Sequence, residues 1–496
     1  MEWTKRWRRV LAGIMVLGGL LANQVAWAGP VPAPAPAPAK QIVLPAQTSA
    51  ATASVRNVRF HSDSDVFRIV LDMTAIPAYT VNAVDMPLQL EVELPDTVNL
   101  SGANQLSFND PFVENLRFVD LGGGRFKAVI SLKLPIMPKV SVMSSPTRLV
   151  IDLLKNYESK KEYVIAPGVV YKEIIKGRQD GPVKSHVLEV DLKSGYSLKP
   201  VLSNDSVAGI ETLSEISGRL DNVAMINGPY FMRNGDILGL MKIDRTLVST
   251  PDISRTAFGV MPDGKLIFDV PVFSGYVELQ DKTKIPLDGI NRARGESELI
   301  LYNTYYAFWT LTSGSGTEYI VRDGRIAEIR ESNSMIPDGV VVLSATGRPA
   351  WMMSDLKVGS PIKIVQTLGP VWDKVVQAVS AGPCLVKNGE IYVTTIGEEF
   401  GNDVAGGRAP RTALGITKEG RALLVVVDGR RRSSVGLTLL ELAQFMLEQG
   451  AVEAMNLDGG GSSQMIIGNQ TVNEPSDGRE RRLGAGIAVI RTKLAK

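Results

Sequence analysis

Apolar and polar residues alternate with a period of two in the first third of the chain. Residues 88–94 alternate leucine or valine with glutamine or glutamate, and residues 126–134 repeat much of this pattern. Such alternation predicts strands that bury one face and expose the other. Three glycines at 122–124 lie where a hairpin turn between strands is expected. The pattern predicts an all-β domain over residues 55–155.

Further along the chain, strand patterns are joined by one clear helix pattern. Residues 186–192 alternate again, and residues 425–427 form an apolar run typical of a buried strand. Thr438, followed three residues later by Glu441, fits a capping box at a helix start, and Gly450 fits the end. The predicted buried face of this helix is Leu439, Leu442, Ala443, Phe445 and Met446. This part of the chain is predicted to be an α+β domain with a mixed sheet.

Residues 456–463, NLDGGGSS, contain a dense set of candidate functional groups. Three consecutive glycines, Gly459, Gly460 and Gly461, allow the backbone to approach a ligand and to turn its N–H groups inward. Asp458 directly before them is a potential base, nucleophile or metal ligand. The alternative interpretation is a tight turn after a strand, with Asp458 only favouring the turn.

Two segments, 254–265 and 410–421, repeat one pattern: an arginine at the entry, a short strand, an Asp-Gly or Glu-Gly turn, and then a second strand. The arginines are Arg255 and Arg411. One interpretation is a recurrent hairpin whose arginine caps a sheet edge. The other is that both hairpins bring an arginine to one anion site. The site interpretation is favoured for Arg411, and the two interpretations are balanced for Arg255.

Other polar residues follow predicted strands and are candidates for the same site. Asn227-Gly228 ends an apolar strand, where binding sites of α/β folds collect. Glu441 is a candidate carboxylate, although the capping box alone explains its presence. The remaining candidates are Asp428 and Arg430 after the 425–427 run, Asn456 and Ser462 around the glycines, and Asn473, Asp477 and Arg479 in a polar loop.

Composition narrows the classes of function. The 496 residues carry a net charge of +2, which gives no reason to expect nucleic acid as a partner. A single cysteine, Cys384, excludes an intrachain disulfide. With only two histidines, a histidine-rich zinc site or a Ser/His/Asp triad is disfavoured. Catalysis is therefore expected to rest on carboxylates, arginine, asparagine and the backbone.

The N-terminal residues predict export. Residues 1–28 combine a basic start, an apolar stretch and Ala26-Trp27-Ala28, which fits a signal peptide with a small-x-small cleavage site. Residues 29–54 begin with alternating proline and alanine and are predicted to be a stiff linker. The protein is therefore expected to work in the periplasm, the cell envelope or the medium. Residues 155–161 are predicted to be a second linker.

Residues 55–155 resemble an AMIN domain, a small β-sandwich module of envelope proteins. The resemblance rests on VRNVRFHSDSDVFRIVLDM near its start and SSPTRLVIDL at its end. It implies targeting to the cell wall and peptidoglycan as a possible partner.

Residues 163–494 form the second predicted domain, and from about residue 220 it resembles the phosphodiester glycosidase family. The resemblance rests on NGPYF, PRTALG, VDGRRRSSVGLTLLELAQFM, AMNLDGGGSSQM and VNEPSDGRERRLGAGIAV, in that order. It implies cleavage of a sugar from a sugar-1-phosphodiester, with a GlcNAc-1-phosphodiester or an envelope polysaccharide as substrate. The family's motif positions fall on Asn227, Arg411, Asp428, Glu441, Asn456, Asp458, the glycines after it, and Arg479.

The roles follow from the chemistry. Arginines, with help from the N–H groups of Gly459 to Gly461, would hold the phosphate, and Asp458, or after it Asp428, would act as base or nucleophile at C1. Asn227 and Asn456 would bind sugar hydroxyls. No cofactor is predicted. One alternative is a metal-dependent phosphodiesterase in which Asp428 and Asp458 share Ca²⁺ or Mg²⁺ and a P–O bond breaks. Another is a non-catalytic protein that binds an anionic wall glycan.

Overall fold

The computed structural model describes residues 53–85, 87–134, 136–178, 180–251 and 253–492. The predicted signal peptide at 1–28 and the predicted linker, apart from its last two residues, lie outside this part of the chain. None of the helices in the described part is long and apolar enough to cross a membrane.

Residues 53–154 form two five-stranded sheets, as the alternation predicts. The strands are β1 (Ala53–Ser62), β2 (Val66–Met73), β3 (Thr80–Asp85), β4 (Leu88–Pro95), β5 (Thr97–Asn99), β6 (Gln105–Ser107), β7 (Val113–Asp120), β8 (Arg125–Leu132), β9 (Met137–Ser144) and β10 (Thr147–Leu154). Their orders are β5-β1-β2-β10-β9 and β3-β4-β8-β7-β6. Ile69 of one sheet and Ile130 of the other belong to one buried core, so the sheets form a sandwich.

The three glycines at 122–124 connect β7 to β8, and all three have positive φ angles. Because L-residues with a Cβ rarely adopt this conformation, the glycines permit the tight hairpin predicted there. The AMIN identity of this sandwich stays a prediction.

The next segment begins the second domain. Its elements are β11 (Tyr157–Ala166), β12 (Val169–Gly177), β13 (Val183–Asp191), β14 (Tyr196–Leu202), β15 (Glu211–Thr212), α1 (Leu213–Gly218) and β16 (Asn222–Asn227). β11 pairs with β12 from Tyr157 onward. Residues 157–161, predicted to be linker, therefore belong to a strand, whose alternating charged residues lie on an edge of the sheet.

Residues 241–380 form three smaller sheets. Their elements are β17 (Met241–Ile243), β18 (Thr246–Ser249), β19 (Ala257–Val260), β20 (Leu266–Asp269), β21 (Ser274–Glu278), β22 (Lys284–Pro286), β23 (Gly289–Ile290), β24 (Leu299–Tyr302), β25 (Thr317–Arg322), β26 (Arg325–Arg330), β27 (Val341–Ala345), α2 (Gly347–Met352), β28 (Lys363–Thr367) and β29 (Gln377–Ser380). The sheet orders are β18-β17-β29-β19-β20, β22-β21-β28 and β23-β24-β27-β25-β26.

The last segment returns to the sheets begun by β11–β16. Its elements are β30 (Cys384–Lys387), β31 (Glu390–Ile391), α3 (Asn402–Ala405), β32 (Arg411–Thr417), β33 (Arg421–Val427), α4 (Leu439–Glu448), β34 (Ala451–Asn456), β35 (Met465–Ile467), β36 (Gln470–Thr471), β37 (Arg482–Leu483) and β38 (Ala485–Arg491). They complete an eight-stranded sheet, β11-β12-β13-β33-β32-β34-β30-β31, a five-stranded sheet, β14-β38-β16-β35-β36, and the pair β15-β37.

The two large sheets pack face to face and each carries a helix on its outer face. Leu424 of the eight-stranded sheet and Ile487 of the five-stranded sheet share one buried core. Helix α4 packs Leu442 and Phe445 on the outer face of the first sheet, and α1 packs Ile216 on the second. The capping box and the buried face predicted for α4 are confirmed.

Strands dominate the described part of the chain, which agrees with the many strands predicted for both domains, whereas the α+β class of the second domain stays a prediction. The prediction of a mixed sheet is wrong for the eight-stranded sheet, in which every neighbouring pair is antiparallel. Short turns such as 418–420 allow only antiparallel pairing, whereas parallel strands need a long crossover. In the described part of this domain, the pair β23-β24 is parallel.

The antiparallel pairing brings several candidate residues to one edge. Arg411 begins β32, and it lies opposite Val427 at the end of β33. Ala413 lies opposite Asn456, where β34 ends. Strand β16 of the facing sheet ends at Asn227 beside the same edge, because the Asn227 amide contacts the Asp458 backbone. The functional site forms at this meeting of strand ends.

Candidate active site

A cavity of about 200 Å³, the Asp458 pocket, opens at these strand ends. It is lined by Tyr230, Asp403, Val404, Ala409, Arg411, Arg430, Asn456, Asp458, Gly459, Gly460, Gly461 and Arg481. Seven of these residues were predicted from the sequence: the two arginines Arg411 and Arg430, the run Asn456 and Asp458, and the three glycines. The lining therefore combines carboxylate, guanidinium and amide groups.

Asp458 is held in place through its own backbone. Its carbonyl oxygen accepts a hydrogen bond from Asn227 Nδ2 at 2.7 Å, and its N–H donates to the Gly228 carbonyl at 3.3 Å. The Gly459 N–H donates to Asp458 Oδ1 at 2.8 Å. Burial raises the pKa of the Asp458 carboxyl to about 6, against the weaker opposing effects of the Ser462 hydroxyl, the Gly459 N–H and Arg481. A carboxyl with such a pKa can change protonation near neutral pH.

Asn227 supports Asp458 and does not line the pocket, contrary to the sugar-binding role predicted for it. Its Oδ1 accepts from Thr412 Oγ1 at 2.7 Å and from the Gln464 N–H at 3.1 Å. With Nδ2 on the Asp458 carbonyl, the amide is occupied by protein groups. Gly228 is buried, and a Cβ there would lie 2.9 Å from the Ala485 carbonyl oxygen, so glycine permits this close approach.

The glycine turn has fewer backbone N–H groups available to a ligand than the sequence predicts. The Gly459 N–H binds Asp458, and the Gly460 N–H donates to the Pro410 carbonyl at 2.9 Å. These two N–H groups are thus unavailable to the phosphate that they were predicted to bind. A Cβ on Gly461 would collide with the Arg481 guanidinium, so this glycine leaves space for an arginine. Ser462 is buried behind the turn.

Arg411 is a buried cation without a carboxylate partner in the described part of the chain. It is 3% exposed, and burial lowers its pKa. Its Nε, Nη1 and Nη2 donate to the carbonyl oxygens of Leu437, Val404 and Gly407 at 3.0, 2.9 and 3.0 Å. These three bonds fix its orientation but leave its charge unbalanced, which favours binding of an anion.

Two further arginines border the pocket. The Arg430 guanidinium lies beside Gly460 and makes no ion pair or hydrogen bond with the residues that the structure describes. Its backbone has a φ of 59°, which is unusual for a residue with a Cβ. Arg481 binds Asp477 through Nε at 2.9 Å. Asp477 therefore orients Arg481, whereas its neighbour Arg479 is exposed and does not line the pocket.

Asn456 lines the pocket and has one buried acceptor without a partner among the described residues. Its Nδ2 donates to the Tyr230 hydroxyl at 2.9 Å, and to the carbonyl oxygens of Gly382 and Leu457. The Tyr230 hydroxyl in turn donates to the Gly382 carbonyl at 3.2 Å, and burial raises its pKa, so it stays protonated. Asn456 Oδ1 is buried without a partner among the described residues. Such an atom is expected to bind water or a ligand hydroxyl.

Asp428 lies behind the site and not in its lining. Its Oδ2 is 3.1 Å from His186 Nε2, and both side chains are fully buried. Its Oδ1 accepts from Asn473 Nδ2 at 3.2 Å and from the Glu474 N–H at 3.0 Å. His186 Nδ1 lies 2.7 Å from the Tyr171 hydroxyl. Both carboxylate oxygens therefore have protein partners, and neither is presented to a substrate or to the cation that Asp428 and Asp458 were hypothesised to share.

The Asp428 contacts hold the loop that follows the glycines. Asn473 also donates to the Ser463 carbonyl and accepts from the Met465 N–H. This ties residues 473–474 to the strand edge, and the same loop continues to Asp477 and Arg481. Asp428 and Asn473 therefore act on the pocket by positioning its wall.

Asp428→Asn provides a test of this positioning role. We expect the variant to lower the free energy of unfolding by about 1.5–3 kcal/mol, since a charged hydrogen-bond network is weakened. Turnover should fall by less than about a hundredfold, the effect of a displacement of about 1 Å. Chemical denaturation and steady-state kinetics measure the two effects. A folded Asp428→Asn variant with no detectable turnover would contradict the positioning role.

Two predicted residues lie elsewhere. Glu441 completes the capping box of α4 and pairs with Arg178 at 2.9 Å and Arg408 at 2.6 Å, outside the pocket lining. These contacts explain Glu441 as a helix-capping residue, which was its alternative interpretation. Arg255 does not reach the Asp458 pocket but lines a neighbouring cleft.

The sequence interpretation missed Tyr230, Asp403, Arg481 and the burial of His186. A signal existed for two of them. Tyr230 is part of the NGPYF motif, and His186 shares a strand face with Leu188 and Val190, which predicts burial. Asp403, on the four-residue helix α3, and Arg481, in the loop before β37, are brought to the pocket only by the tertiary structure.

The raised pKa of Asp458 predicts a pH-dependent effect on stability. Between its ordinary value of 3.8 and about 6, the folded protein retains a proton that the unfolded chain has lost. Stability should therefore fall as pH rises through this window, and the loss should be complete above about pH 6. Asp458→Asn removes the free-energy cost of a buried charged carboxylate, so the variant should be more stable than the wild type at pH 8 by up to about 3 kcal/mol. Melting curves from pH 4 to pH 8 measure this, and a constant difference between the two proteins would contradict it.

The comparison with known families identifies the segment that carries most of this site. Residues 315–490 match the phosphodiester glycosidase family. The resemblance seen in the sequence is thereby confirmed for a segment that contains Arg411, Asp458 and Arg481. Tyr230 and Arg255 precede the matched segment.

Curated relatives carry the name of one phosphodiester glycosidase. The mouse N-acetylglucosamine-1-phosphodiester alpha-N-acetylglucosaminidase is 34% identical over 186 residues, which cover 34% of this chain and 32% of the relative. The bovine protein of the same name is 35% identical over 111 residues, covering 21% of each. The chain thus spans about a third or less of the length of these relatives.

A solved structure shares the fold over a longer region. A hypothetical protein from Synechocystis is 22% identical, with a TM-score of 0.61, over 90% of this chain and 83% of its own. This likeness extends the shared fold beyond the phosphodiester glycosidase segment.

Proposed function

We propose that this protein hydrolyses the bond between C1 of a sugar and the bridging oxygen of a sugar-1-phosphodiester, with GlcNAc as the first sugar to test. The observation that carries this proposal is the presence, in one pocket, of the Asp458 carboxylate and the buried Arg411 guanidinium, which has no carboxylate partner among the residues that the structure describes. The names of the relatives support the same substrate class.

The pocket suits an anion beside a sugar. Arg411 and Arg430 line it without carboxylate partners among the described residues, and a phosphodiester would supply the missing negative charge. Asn456, which lines the same pocket, is the amide proposed to bind a sugar hydroxyl. The Tyr230 ring adds an apolar surface of the kind on which sugars pack.

The reaction exchanges one C–O bond for another. The bond from C1 to the phosphate oxygen breaks, and the phosphomonoester leaves with the electron pair. Because a phosphomonoester has a second pKa of about 6, it departs without the full protonation that an alcohol needs. Arg411 and Arg430 would stabilise its growing charge.

Asp458 would supply the complementary function at C1. It either takes the proton of the water whose oxygen bonds to C1, or attacks C1 itself and is released by water. Both routes need the ionised carboxylate and give the same products, a free reducing sugar and a phosphomonoester. The anomeric configuration of the first-formed sugar distinguishes them. Direct attack by water, with Asp458 as base, inverts C1, whereas the two-step route through a bond between Asp458 and C1 retains its configuration.

Product analysis tests the proposal. The 496-residue chain is incubated with a GlcNAc-1-phosphodiester, with and without EDTA, and the products are read by mass spectrometry. Free GlcNAc plus phosphomonoester, formed in the presence of EDTA, is the expected result. GlcNAc-1-phosphate that disappears with EDTA would support the metal-dependent phosphodiesterase, and binding of anionic glycan without any product would support a non-catalytic protein.

We further propose that the enzyme is exported and that the N-terminal sandwich directs it to the cell wall. Residues 1–28 and the AMIN-like pattern of residues 55–155 support this. Sedimentation with purified peptidoglycan tests the targeting. We expect the full-length chain to sediment with the peptidoglycan. A variant in which the exposed surface of the sandwich is disrupted should stay in the supernatant.

A further inference from the structure

The N-terminal sandwich and the Asp458 pocket are joined by a short series of contacts. The intermediate is the Arg430 loop, residues 428–437, which carries Arg430 into the pocket lining. We propose that Leu134 of the sandwich is a positioning residue for Arg430, acting through this loop. The sandwich is then part of the catalytic unit, in addition to its proposed targeting role. The consequence for turnover rests on the proposed function of the pocket.

The junction between the sandwich and the second domain is held on both sides. Two residues, Lys155 and Asn156, separate β10 from β11. The Lys155 ammonium is buried in the sandwich, where it donates to Ser62 Oγ at 2.9 Å and to Asp110 Oδ2 at 2.8 Å. On the other side, a Cβ added to Gly177 of β12 would lie 2.7 Å from the Lys155 carbonyl oxygen. Because a buried ion pair is costly to break, the junction keeps the sandwich against the second domain.

Leu134, which follows β8, reaches the second domain at Gly181. Its side chain is partly buried against the sandwich core, which fixes its position. A Cβ added to Gly181 would lie 3.6 Å from Leu134 Cδ1 and 2.6 Å from Val435 Cγ1. Because Gly181 has no side chain, Leu134 and Val435 approach the same point from the two domains. Val435 belongs to the Arg430 loop, so the sandwich supports this loop from outside.

The Arg430 loop transmits this support to the pocket. The Val435 N–H donates to the Pro182 carbonyl at 2.9 Å, and the Ser434 hydroxyl donates to the Asp428 carbonyl at 2.6 Å. These bonds close the loop around Arg430, whose φ of 59° is unfavourable for a residue with a Cβ. Such a conformation persists only where neighbouring contacts hold it. The packing of Val435 against the sandwich is one of these contacts.

The Arg430 guanidinium depends on its backbone for its place in the pocket. A Cβ added to Gly460 would lie 3.4 Å from Arg430 Nη1, so the guanidinium lies beside the glycine turn. It makes no ion pair or hydrogen bond with the residues that the structure describes. A shift of the loop therefore moves the guanidinium with it, and a misplacement of about 1 Å can reduce a rate by up to about a hundredfold.

Truncation of the contact from either domain tests the proposal. Leu134→Ala and Val435→Ala should each lower kcat/KM for a GlcNAc-1-phosphodiester about tenfold. Each should also raise the inhibition constant of methyl phosphate by a similar factor, because Arg430 is proposed to hold the phosphate. Leu134→Met keeps the volume of the side chain and should stay within about threefold of the wild type.

Leu106→Ala is the matched control for these variants. Leu106 is partly buried against the same sandwich core as Leu134, and it lies on the edge strand β6. This variant should keep the kcat/KM and the inhibition constant of the wild type. An equal loss in Leu106→Ala, or wild-type values in both contact variants, would overturn the proposal.

A double-mutant cycle with Arg430→Ala separates positioning from a general loss of stability. If Leu134 acts through Arg430, Leu134→Ala should reduce kcat/KM by less than about twofold once residue 430 is alanine. A purely structural effect would instead multiply the loss caused by Arg430→Ala. The pH at which kcat/KM falls by half should also stay at the wild-type value, because Asp458 is not displaced. Multiplicative losses, or a shifted pH midpoint, would overturn the assignment.

A binding measurement separates the positioning role from the proposed function. If the wild-type protein turns over no GlcNAc-1-phosphodiester, the proposed function fails. Isothermal titration calorimetry with methyl phosphate then tests the positioning alone. Binding that Leu134→Ala weakens at least about fivefold, and that Leu106→Ala leaves unchanged, supports the positioning role. Binding that is missing in the wild type, equal in the wild type and Leu134→Ala, or equally weakened in both variants overturns it.

Discussion

Replacing Asp458 by asparagine is expected to lower kcat by more than about a thousandfold, because the variant removes the carboxylate proposed to act at C1. The substitution preserves shape, and the Gly459 N–H keeps an oxygen acceptor. The variant should also melt no lower than the wild type at pH 8, since the cost of the buried charge is gone. Steady-state kinetics and melting curves on the same preparation measure both effects.

Asp428→Asn is the matched control for this variant, because Asp428 is a neighbouring buried carboxylate outside the pocket lining. It should retain far more activity at a lower stability. Wild-type-like turnover by Asp458→Asn would remove Asp458 from the mechanism. The pH dependence provides a second check: kcat/KM of the wild type should fall tenfold per pH unit below about pH 6, where Asp458 becomes protonated. Activity that instead declines above pH 6 would show that the protonated form works.

Replacing Arg411 by lysine is expected to lower kcat/KM by about a hundredfold to a thousandfold. Lysine keeps the positive charge, but it lacks the planar guanidinium. In Arg411 this group donates to three carbonyl oxygens and has further N–H groups left for a phosphate. Its ammonium would lie at a different point, and the segment 404–407 would lose two anchors. Kinetics with a GlcNAc-1-phosphodiester, together with inhibition by the phosphomonoester product, measure the loss.

Arg408→Lys is the control for this second variant. Arg408 lies three residues earlier and binds Glu441 and Asp180, outside the pocket lining. Its replacement should leave kcat/KM within a few-fold of the wild type, even where stability drops. If Arg411→Lys remained as active as Arg408→Lys, the phosphate would have to be held by other groups.

Much of the site was accessible from the sequence because its residues stand at strand ends. Asp458 follows β34 and Arg411 begins β32, and antiparallel pairing places such ends at one edge. Three glycines after a carboxylate marked the same place. Asn227 was a candidate from its position at a strand end and again from the family motifs, and the structure does bring it to Asp458, although as a support for its backbone.

The sequence does not predict which way a side chain points when its residue follows the end of a strand. Asp428 follows β33 at the same edge, but its N–H donates to the Lys184 carbonyl, and its side chain points to His186. Asp458 and Asp428 were thus both candidates from the sequence, with Asp458 placed first, and only the fold shows that their side chains point to different surroundings. Glu441, by contrast, lies at a helix start. The capping box that it forms with Thr438 depends on four consecutive residues, so its helix-capping role could be predicted from the sequence.

Pocket residues on short segments far apart in the chain could not be predicted from the sequence either. Arg481 reaches the pocket because Gly461 has no Cβ and Asp477 orients the guanidinium. Asp403 lies on α3, a helix of four residues without a clear pattern. Neither position follows from periodicity, because loop contacts depend on the completed tertiary structure.

Hydrolysis in H₂¹⁸O tests the central claim most directly. If Asp458 acts at C1 while Arg411 holds the phosphate, the label appears in the free sugar, and the phosphomonoester carries none. Exchange at C1 is controlled by incubating unlabelled sugar in the same water for the same time. Label in the phosphate would show P–O cleavage and contradict the account, whether it appears in sugar-1-phosphate released with the free alcohol or in a phosphomonoester released with unlabelled sugar.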